Sequence, residues 1–438
     1  MAGPTENDKA WAKAFEAFSV VDTVQKNGFI DLTANELRQF REPRHMGKID
    51  HKENLPQVFK DAELTILTLS NSSYRVGPFN IFQSLPKWQM PANDVTTLTF
   101  PPDLQTLDFE NITGEPGVVN TAHATNMLSE FCGEDLLLTV GGRMRTGDFE
   151  FFVETSTGVT QDVAVSKAQM EIDAGYEGRE KFFLFEVKNH ASQNFNFRQL
   201  YYPYRAWSQR ITKPVVPIFL TFSNDVFDLY EFTLDDPRNF SSGRLAKHHR
   251  YMLTHSDVNE VELVERAKHG RTDSNKLRIS DNDVPFPQAD SLERVIDLVT
   301  ILIDKPQDVS DLATHFGFDP RQSDYYYNAA KLLGLATSIK DPETNAEMRQ
   351  STSKAIDIFR KPYREKYLAI AGEVLRIESI ADVFILWAKR DMKPDLEEVI
   401  EIVKNSDDAR HYSDSTIRRR SQTVRAWATW VYELIGKR

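Results

Sequence analysis

The stretch MEIDAGYEGREKFFLFEVKN, residues 170–189, decides the fold of the central part of this 438-residue chain. Two apolar segments flank a turn that contains Gly175 and Gly178, and this pattern predicts a β-hairpin. The four consecutive apolar residues 182–185 indicate that the second strand is buried on both faces. The hairpin is therefore expected to lie within a packed sheet.

Three ionisable side chains of this hairpin are expected to meet on one face. Side chains alternate along a strand, so Glu186 and Lys188 point the same way, and Asp173 on the partner strand can face them. Crowded carboxylates that lose hydration need a cation, and Mg²⁺ binds both carboxylate and phosphate oxygens. A lysine beside the metal can hold an attacking water. The pattern favours phosphodiester hydrolysis; a surface hairpin with paired charges is the alternative.

The order of apolar segments around the hairpin predicts an α/β unit with a central sheet. A polar linker is expected at residues 266–288, which contain two prolines near their end. Helices are predicted at 120–131 and 197–207, and strands at 135–140, 149–153, 163–172, 182–187 and 215–222. The chain then divides into an α+β N-terminal module (1–115), an α/β core (116–265) and two helical modules (289–350 and 351–438).

Composition restricts the class of protein. One cysteine excludes a disulfide framework and a cysteine-based zinc site. The sequence contains no secretory signal pattern, no apolar run of membrane-spanning length and no phosphate-loop motif, so a cytoplasmic protein with neither a membrane anchor nor a nucleotide cofactor is expected. The net charge is −12, but residues 410–438 carry +5 and the rest carries −17. This asymmetry is typical of a selective polyanion-binding surface; an exposed, solvated helix face is the alternative.

The acid on one strand followed by acid-x-Lys on the next resembles the PD-(D/E)XK nuclease superfamily, and more narrowly its type II restriction endonucleases. Ile172 stands where the name pattern has proline, a departure that affects no reacting group. The resemblance implies a mixed-sheet nuclease core with Asp173 and Glu186 as Mg²⁺ ligands. It also implies that the Val187 carbonyl reaches the metal and that Lys188 positions the water.

Further residues match helper positions that the resemblance implies. Glu130, on the preceding helix, is the candidate for an additional catalytic acid. Gln199, on the helix after the lysine strand, is the candidate active-site helper. Tyr202 and Arg205 on that helix are candidate phosphate contacts, although tyrosines there can instead pack the helix onto the sheet.

The C-terminal half is expected to be all-α in character, with winged-helix-type organisation. Residues 289–350 give a helix, a short helix, a glycine turn, a longer helix and a polar hairpin. This order resembles the winged helix-turn-helix family. Arg321 and Gln322 would be exposed on the third helix as DNA contacts. A dimerisation or scaffold role for this module is an equal alternative.

The last module, 351–438, contains a helix that is predicted to begin near Ser415. Four apolar residues form one stripe along it: Ile417, Val424, Ala428 and Val431. Arg and Gln side chains outside such a stripe can reach base edges and phosphates. Here these candidate DNA contacts are Arg418, Arg419, Gln422 and Arg425.

A basic, loop-like segment of the N-terminal module offers two further candidates. Arg44 and Lys48 lie in it and can reach a DNA groove, or the segment can pair its own charges on the surface. Taken together, these patterns predict a Mg²⁺-dependent, sequence-specific double-stranded DNA endonuclease that acts as a homodimer and leaves 5′-phosphate and 3′-hydroxyl ends. A structure-specific repair or recombination nuclease and a non-catalytic helix-turn-helix regulator are the alternatives.

Overall fold

A mixed seven-stranded sheet occupies the centre of the computed structural model. Helices cover the sheet, and smaller α/β and mainly helical parts precede and follow it, so the expected mixed α/β class is confirmed. No helix in the part of the chain that the structure describes is long and apolar enough to cross a membrane. The described residues are 5–87, 95–101, 104–108, 112–253, 258–272, 274, 276–277, 288–316, 320–341, 345–361, 363–407 and 412–435.

The N-terminal part packs helices on a small antiparallel sheet. Its centre contains Trp11, Phe15 and Phe59, whose rings meet edge to face with centroids 4.7–6.1 Å apart. Such contacts stabilise a core beyond the burial of area alone. The elements are α1 (Glu6–Ala17), α2 (Val20–Asn27), β1 (Ile30–Thr33), α3 (Ala34–Arg38), α4 (Pro43–Gly47), α5 (Gln57–Asp61), β2 (Thr65–Ser70) and β3 (Ser73–Gly77).

The central part supplies most strands of the large sheet. A side hairpin and a two-stranded ribbon are added at its periphery. The elements are β4 (Phe82–Ser84), β5 (Thr96–Leu98), α6 (Gly114–Ala124), α7 (Met127–Cys132), β6 (Leu137–Arg145), β7 (Asp148–Glu154), β8 (Thr160–Ser166), β9 (Gln169–Glu177), β10 (Phe182–Lys188), β11 (Asn194–Asn196), α8 (Arg198–Ser208), β12 (Val215–Ser223), β13 (Val226–Leu234) and β14 (Gly243–Leu253).

The large sheet has the strand order β5-β14-β13-β12-β10-β9-β6. Strands β9 and β10 pair antiparallel, as the sequence predicts, whereas β10 and β12 are parallel and α8 makes the crossover between them. A parallel neighbour requires such a crossover. Helices α6 and α7 cover one face of the sheet, and α8 with the β7–β8 hairpin covers the other. The buried run 182–185 contributes to both sides, which confirms its central position.

Two local predictions need correction. The predicted strand 163–172 is two strands, because Lys167 has φ 50° and reverses the chain between β8 and β9. Gly175 lies inside β9, where a Cβ atom would approach Val140 and Phe182 to 2.9 Å; close packing, not a turn, requires glycine there. The β9–β10 turn itself is closed by Gly178 N–H donating to the Lys181 carbonyl at 2.9 Å.

The C-terminal part is mainly helical, and the described residues from Val258 to Leu434 share one hydrophobic cluster. The three helices and the hairpin expected within 289–350 are present. Gln307 forms an antiparallel β-bridge with Arg349 of the hairpin. The elements are α9 (Glu260–Gly270), α10 (Leu292–Asp304), α11 (Val309–Phe316), α12 (Pro320–Leu332), β15 (Ala336–Lys340), β16 (Glu347–Ser351), α13 (Ser353–Phe359), α14 (Tyr363–Val374), α15 (Glu378–Arg390), α16 (Leu396–Asn405) and α17 (Asp414–Glu433).

The borders between the parts differ in one respect from the expected ones. Helix α9 occupies the start of the predicted linker and packs with Leu263 and Ala267 in the C-terminal cluster. Most of the remaining linker, residues 278–287, lies outside the described residues. The division of 289–438 into two modules stays a prediction.

A tight turn of the large sheet joins the central part to the C-terminal part. Asn224 and Asp225 form the two-residue loop between β12 and β13, both with positive φ, as a type I′ hairpin requires. Ser223 Oγ donates to Asp297 Oδ2 at 2.8 Å, and Lys366 Nζ contacts Asp225 Oδ2 at 2.9 Å. These polar contacts are buried, so the two parts hold a fixed relation.

Lys366→Met should destabilise the protein by about 3 kcal/mol, because it leaves the Asp225 carboxylate buried without its cation. Chemical denaturation measures this change. The control Lys361→Met removes an exposed lysine nearby and should change stability by less than about 0.5 kcal/mol. The double variant with Asp225→Asn should recover part of the loss; equal destabilisation of the single and double variants would contradict the pairing.

Candidate active site

The candidate active site lies where β9 and β10 separate. Their backbone pairing runs from Phe182 opposite Glu177 to Phe185 opposite Ala174 and then stops. Beyond this point Asp173 Oδ2 accepts a hydrogen bond from Val187 N–H at 2.7 Å. A side chain thus replaces the backbone acceptor of the ladder, and the strand ends are held at a fixed separation.

Lys188 is the centre of a charged cluster. Its Nζ donates to Glu186 Oε1 at 2.6 Å, to Glu115 Oε1 at 3.2 Å and to the Val187 carbonyl at 3.1 Å. Gln199 on α8 donates from Nε2 to the same Glu186 oxygen at 2.5 Å. The predicted set of Asp173, Glu186, Lys188 and Gln199 therefore meets in one place, and Glu115, from the first turn of α6, joins it.

The cluster is electrostatically unbalanced towards negative charge. Burial raises the pKa of Glu186 to about 8 and the pKa of Asp173 to about 6, although the Lys188 ammonium opposes both shifts. Burial would lower the pKa of Lys188, but the carboxylates of Glu186, Glu115 and Asp173 hold it well above its ordinary value. One ammonium thus faces three acids, and a further cation would lower the energy of the ionised state.

The donor atoms available to such a cation are oxygens. Among the described residues, no three His, Cys, Asp or Glu side chains are grouped so as to hold a metal ion by themselves. Asp173 Oδ1 and Glu186 Oε2 form no hydrogen bond within the described part of the chain. The Val187 carbonyl, which follows Glu186 in sequence, accepts a hydrogen bond from Lys188. Gln199 Oε1 is buried without a partner in that same part. This set fits Mg²⁺, which takes few protein oxygens and keeps several waters.

The N-terminal part contributes to the surroundings of the site through residues 49–51. Asn196 N–H donates to the Asp50 carbonyl at 2.7 Å, and its side chain donates to the Ile49 carbonyl at 3.0 Å. Burial would raise the pKa of Asp50, but nearby Lys48 and Lys188 lower it. Asp50 is therefore a further anion within electrostatic reach of Lys188 that the sequence analysis missed.

Three histidines pack beside the site, one from each part of the chain. The ring of buried His190 lies between those of His51 and His315, with centroids 5.7 and 4.7 Å away. His51 Nδ1 contacts the Asn194 carbonyl at 2.8 Å, and neither nitrogen of His190 has a partner among the described residues. Burial lowers the pKa of all three, that of His315 to about 4. The rings therefore pack as neutral groups.

Two of the predicted phosphate contacts are structural instead. Tyr202 is 1% exposed, and its hydroxyl donates to the Thr68 carbonyl at 2.7 Å. Arg205 is 7% exposed and donates to the carbonyls of Pro237 and Glu150 at 2.8 and 3.1 Å. Both side chains are buried, and the Tyr202 hydroxyl and Arg205 Nη1 donate inside the protein, which favours the packing alternative for Tyr202 and a structural role for Arg205.

The predicted catalytic acid Glu130 lies elsewhere. It is exposed on α7 and lines an open cavity with Glu134 and Arg179, near the turn end of the β9–β10 hairpin. The acid that α6 supplies to Lys188 is Glu115. The weak sequence signal for Glu115 is its place in the first turn of the helix, where carboxylates are favoured.

The remaining DNA-binding candidates are distributed over two surfaces. Arg44 lies exposed on α4, a short helix with proline at its start where a loop was expected, and Lys48 follows it, 3.6 Å from Asp50. On α17 the expected apolar stripe is buried, and so is Arg420, whereas the predicted DNA contacts lie outside the buried face. Four of the candidates are exposed: Gln322, Arg418, Arg419 and Gln422. Arg425 is half-buried, and its Nε donates to the Pro394 carbonyl at 3.2 Å. The Arg321 side chain lies outside the described residues.

Comparison with known proteins gives three family matches. Each is described as a domain of unknown function: DUF6996 over residues 8–76, DUF6997 over 77–252 and DUF7226 over 294–436. No curated protein and no solved structure matches the chain. Glu115, Asp173, Glu186, Lys188 and Gln199 all fall within the middle match, so the candidate site belongs to one domain, and the flanking domains border it.

The histidine cluster predicts a loss of stability in acid. Because burial holds the pKa of His190 and His315 below that of the unfolded chain, near 6.5, the unfolded state binds more protons between pH 6.5 and about 4. Stability from this source is complete above pH 6.5 and falls as the pH decreases. The slope should reach about 1.4 kcal/mol per pH unit for each histidine.

Comparison of variants isolates the contribution of the histidines to stability. It is needed because the pKa of Glu186 is raised, so the contribution of Glu186 to stability decreases as the pH rises from 4.5 to 8, opposite to that of the histidines. His190→Leu should flatten the curve of unfolding free energy against pH below 6.5. His45→Leu, at an exposed histidine, should leave the slope unchanged. Parallel curves for wild type and His190→Leu would show that His190 is not buried as a neutral ring.

Proposed function

We propose that this protein is a Mg²⁺-dependent DNA endonuclease of the type II restriction kind, with a PD-(D/E)XK core and a winged-helix-type C-terminal half. The observation that carries the proposal is the meeting of Asp173, Glu186 and Lys188 at the point where two strands separate. The resemblance in sequence named these three residues, and the contacts between them support their common role.

Each protein group of the site has a role in the proposed reaction. Asp173, Glu186 and the Val187 carbonyl would hold Mg²⁺, which when bound neutralises charge on the phosphate and acidifies a bound water. The Lys188 ammonium orients the attacking water and stabilises the hydroxide that forms. Gln199 keeps the Glu186 carboxylate in place, and Glu115 fixes the position of Lys188. Attack at phosphorus leaves 5′-phosphate and 3′-hydroxyl ends.

We propose that the protein binds double-stranded DNA through surfaces of its C-terminal part. We also propose that it does so in the cytoplasm. Arg418 and Arg419 are exposed on α17, in the most basic segment of an otherwise acidic chain. The order α10-α11-α12-β15-β16 supports a winged-helix role for 289–350. Because cleavage of both strands needs two active sites, we include a homodimer in the proposal.

Lys188→Ala should reduce Mg²⁺-dependent cleavage of plasmid DNA by a factor of about 10² or more, because the water loses its orienting cation. DNA binding in Ca²⁺ should persist. Lys181→Ala, which removes an exposed lysine from the turn of the same hairpin, is the matched control and should cleave as wild type does.

The products of this digest separate the proposal from its alternatives. Discrete bands with defined ends support a restriction enzyme, and nicking only at branched DNA supports a repair or recombination nuclease. Binding of DNA without cleavage under any divalent metal indicates a helix-turn-helix regulator. Unchanged cleavage by Lys188→Ala would refute the assignment of the site.

Arg418→Ala and Arg419→Ala should each weaken DNA binding and reduce the slope of log K against log salt by about 1, because each removes one phosphate contact. Titration of a labelled duplex at several salt concentrations measures the slope. Lys389→Ala, at an exposed lysine of α15, provides the charge-matched control. The control should keep the wild-type slope. If Arg418→Ala and Arg419→Ala keep it as well, α17 does not contact DNA.

A further inference from the structure

A cavity of about 780 Å³ has one wall that is close in sequence to the candidate active site. This wall is the loop 191–193, which begins three residues after Lys188, and the others come from α10, α12, the segment before α16, and α17. Its size is that of a pocket for a small organic ligand and far exceeds the space that a single phosphate needs. Its lining includes Ser192, Tyr326, Lys393, Arg425 and Trp430.

Two buried polar groups of this lining lack partners. Ser192 is 6% exposed and Trp430 is 2% exposed, and within the described part of the chain neither Ser192 Oγ nor Trp430 Nε1 forms a hydrogen bond. Buried polar groups in folded proteins are nearly always satisfied, so two such groups at one cavity require an explanation. Both are donors, and a ligand that carries acceptor atoms would satisfy them.

Four cationic residues line the same cavity: Lys87, Arg294, Lys393 and Arg425. Arg425 uses Nε to bond the Pro394 carbonyl, and its two Nη groups have no acceptor among the described residues. Lys393 lies over the Trp387 ring at 5.2 Å and has no ion-pair partner in that part of the chain. Burial and the proximity of Arg425 both lower the pKa of Lys393, and the charge of Glu433 partly opposes this shift.

The acidic residues of the lining do not remove this need for an anion. Glu293 and Glu433 lie close enough to interact, and burial followed by the charge of Glu293 raises the pKa of Glu433. Asp290 accepts a hydrogen bond from Thr423 at 2.5 Å. Lys393 opposes the rise in the pKa of Glu433, so these two residues partly balance each other. The lining still contains four cationic and three acidic residues, an excess of one positive charge that an anionic group would offset.

We infer that this cavity binds one nucleotide of a nucleic-acid strand, with its phosphate at Arg425 and Lys393 and its base at the unpaired donors of Ser192 and Trp430. The inference rests on the proposed function and extends it. A nucleotide combines the anion, the acceptor atoms and the aromatic face that Tyr326 and Trp430 can contact. A duplex would supply it by unstacking one nucleotide, which costs a few kcal/mol.

The position of the cavity relates this binding to cleavage. Loop 191–193 begins three residues after Lys188, so only a short segment connects the cavity wall to the strand that carries Glu186 and Lys188. Binding energy gained in the cavity would hold the strand in register with the active site. The nucleotide bound there would then contribute to sequence selection.

Calorimetric titration of the full chain with each of the four deoxynucleoside 5′-monophosphates tests the inference, with inorganic phosphate for comparison. At least one nucleotide should bind, more tightly than phosphate. Arg425→Ala with Lys393→Ala should weaken this binding tenfold or more, and Trp430→Phe should weaken it while keeping the ring volume. Lys389→Ala, outside the cavity, should have no effect. Thermal melting of each variant verifies that it is folded.

A duplex containing 2-aminopurine identifies the source of the nucleotide. Its fluorescence should increase on binding to wild type and not to the double variant, since an extruded base is unstacked. Absence of nucleotide binding at millimolar concentration, equal weakening by Lys389→Ala, or mononucleotide binding without a fluorescence increase would each overturn the inference. If the protein binds nucleotides and extrudes a base but does not cleave DNA, the proposed function is overturned and the cavity assignment stands. If it cleaves DNA normally but binds no nucleotide, the cavity assignment is overturned and the proposed function stands.

Discussion

The hydrogen bond from Val187 N–H to Asp173 Oδ2 is the contact on which the candidate site depends. It ends the regular ladder between β9 and β10 and satisfies a backbone donor that would otherwise be buried and unpaired. The strand ends can then diverge without loss of hydrogen bonding. On its other side β10 stays paired with β12, and the side chains of Glu186 and Lys188 meet Gln199 of α8 and Glu115 of α6, respectively.

Burial of the neighbouring carboxyl groups of Asp173 and Glu186 reduces the free energy of unfolding, and favourable packing elsewhere in the fold must offset this loss. Carboxylates in an apolar environment are destabilised, and the raised pKa values of Asp173 and Glu186 express this directly. Lys188 offsets only part of the excess charge. The surrounding sheet is apolar and tightly packed, so the cluster cannot relax by exposing itself to water. The Mg²⁺ ion that we propose for this site would offset this cost.

The parts of the site that the sequence could reveal are those determined by local periodicity. Alternation along the hairpin placed Asp173, Glu186 and Lys188 on one face, and the position of Gln199 in the next helix followed from the chain order. Glu115 lies 73 residues from Lys188, and only the packing of α6 against the end of the sheet brings it near. No local pattern encodes such a contact.

The burial of Arg205 could not be predicted for a related reason. Its sequence surroundings suit a phosphate contact, but the carbonyls of Glu150 and Pro237, distant in sequence, accept its hydrogen bonds. An arginine near an active site can serve either the ligand or the scaffold, and the choice depends on which loops fold over it. The sequence therefore predicts which residues meet on regular strands more reliably than which residues enclose them, because the enclosing groups come from the loops and flanking parts.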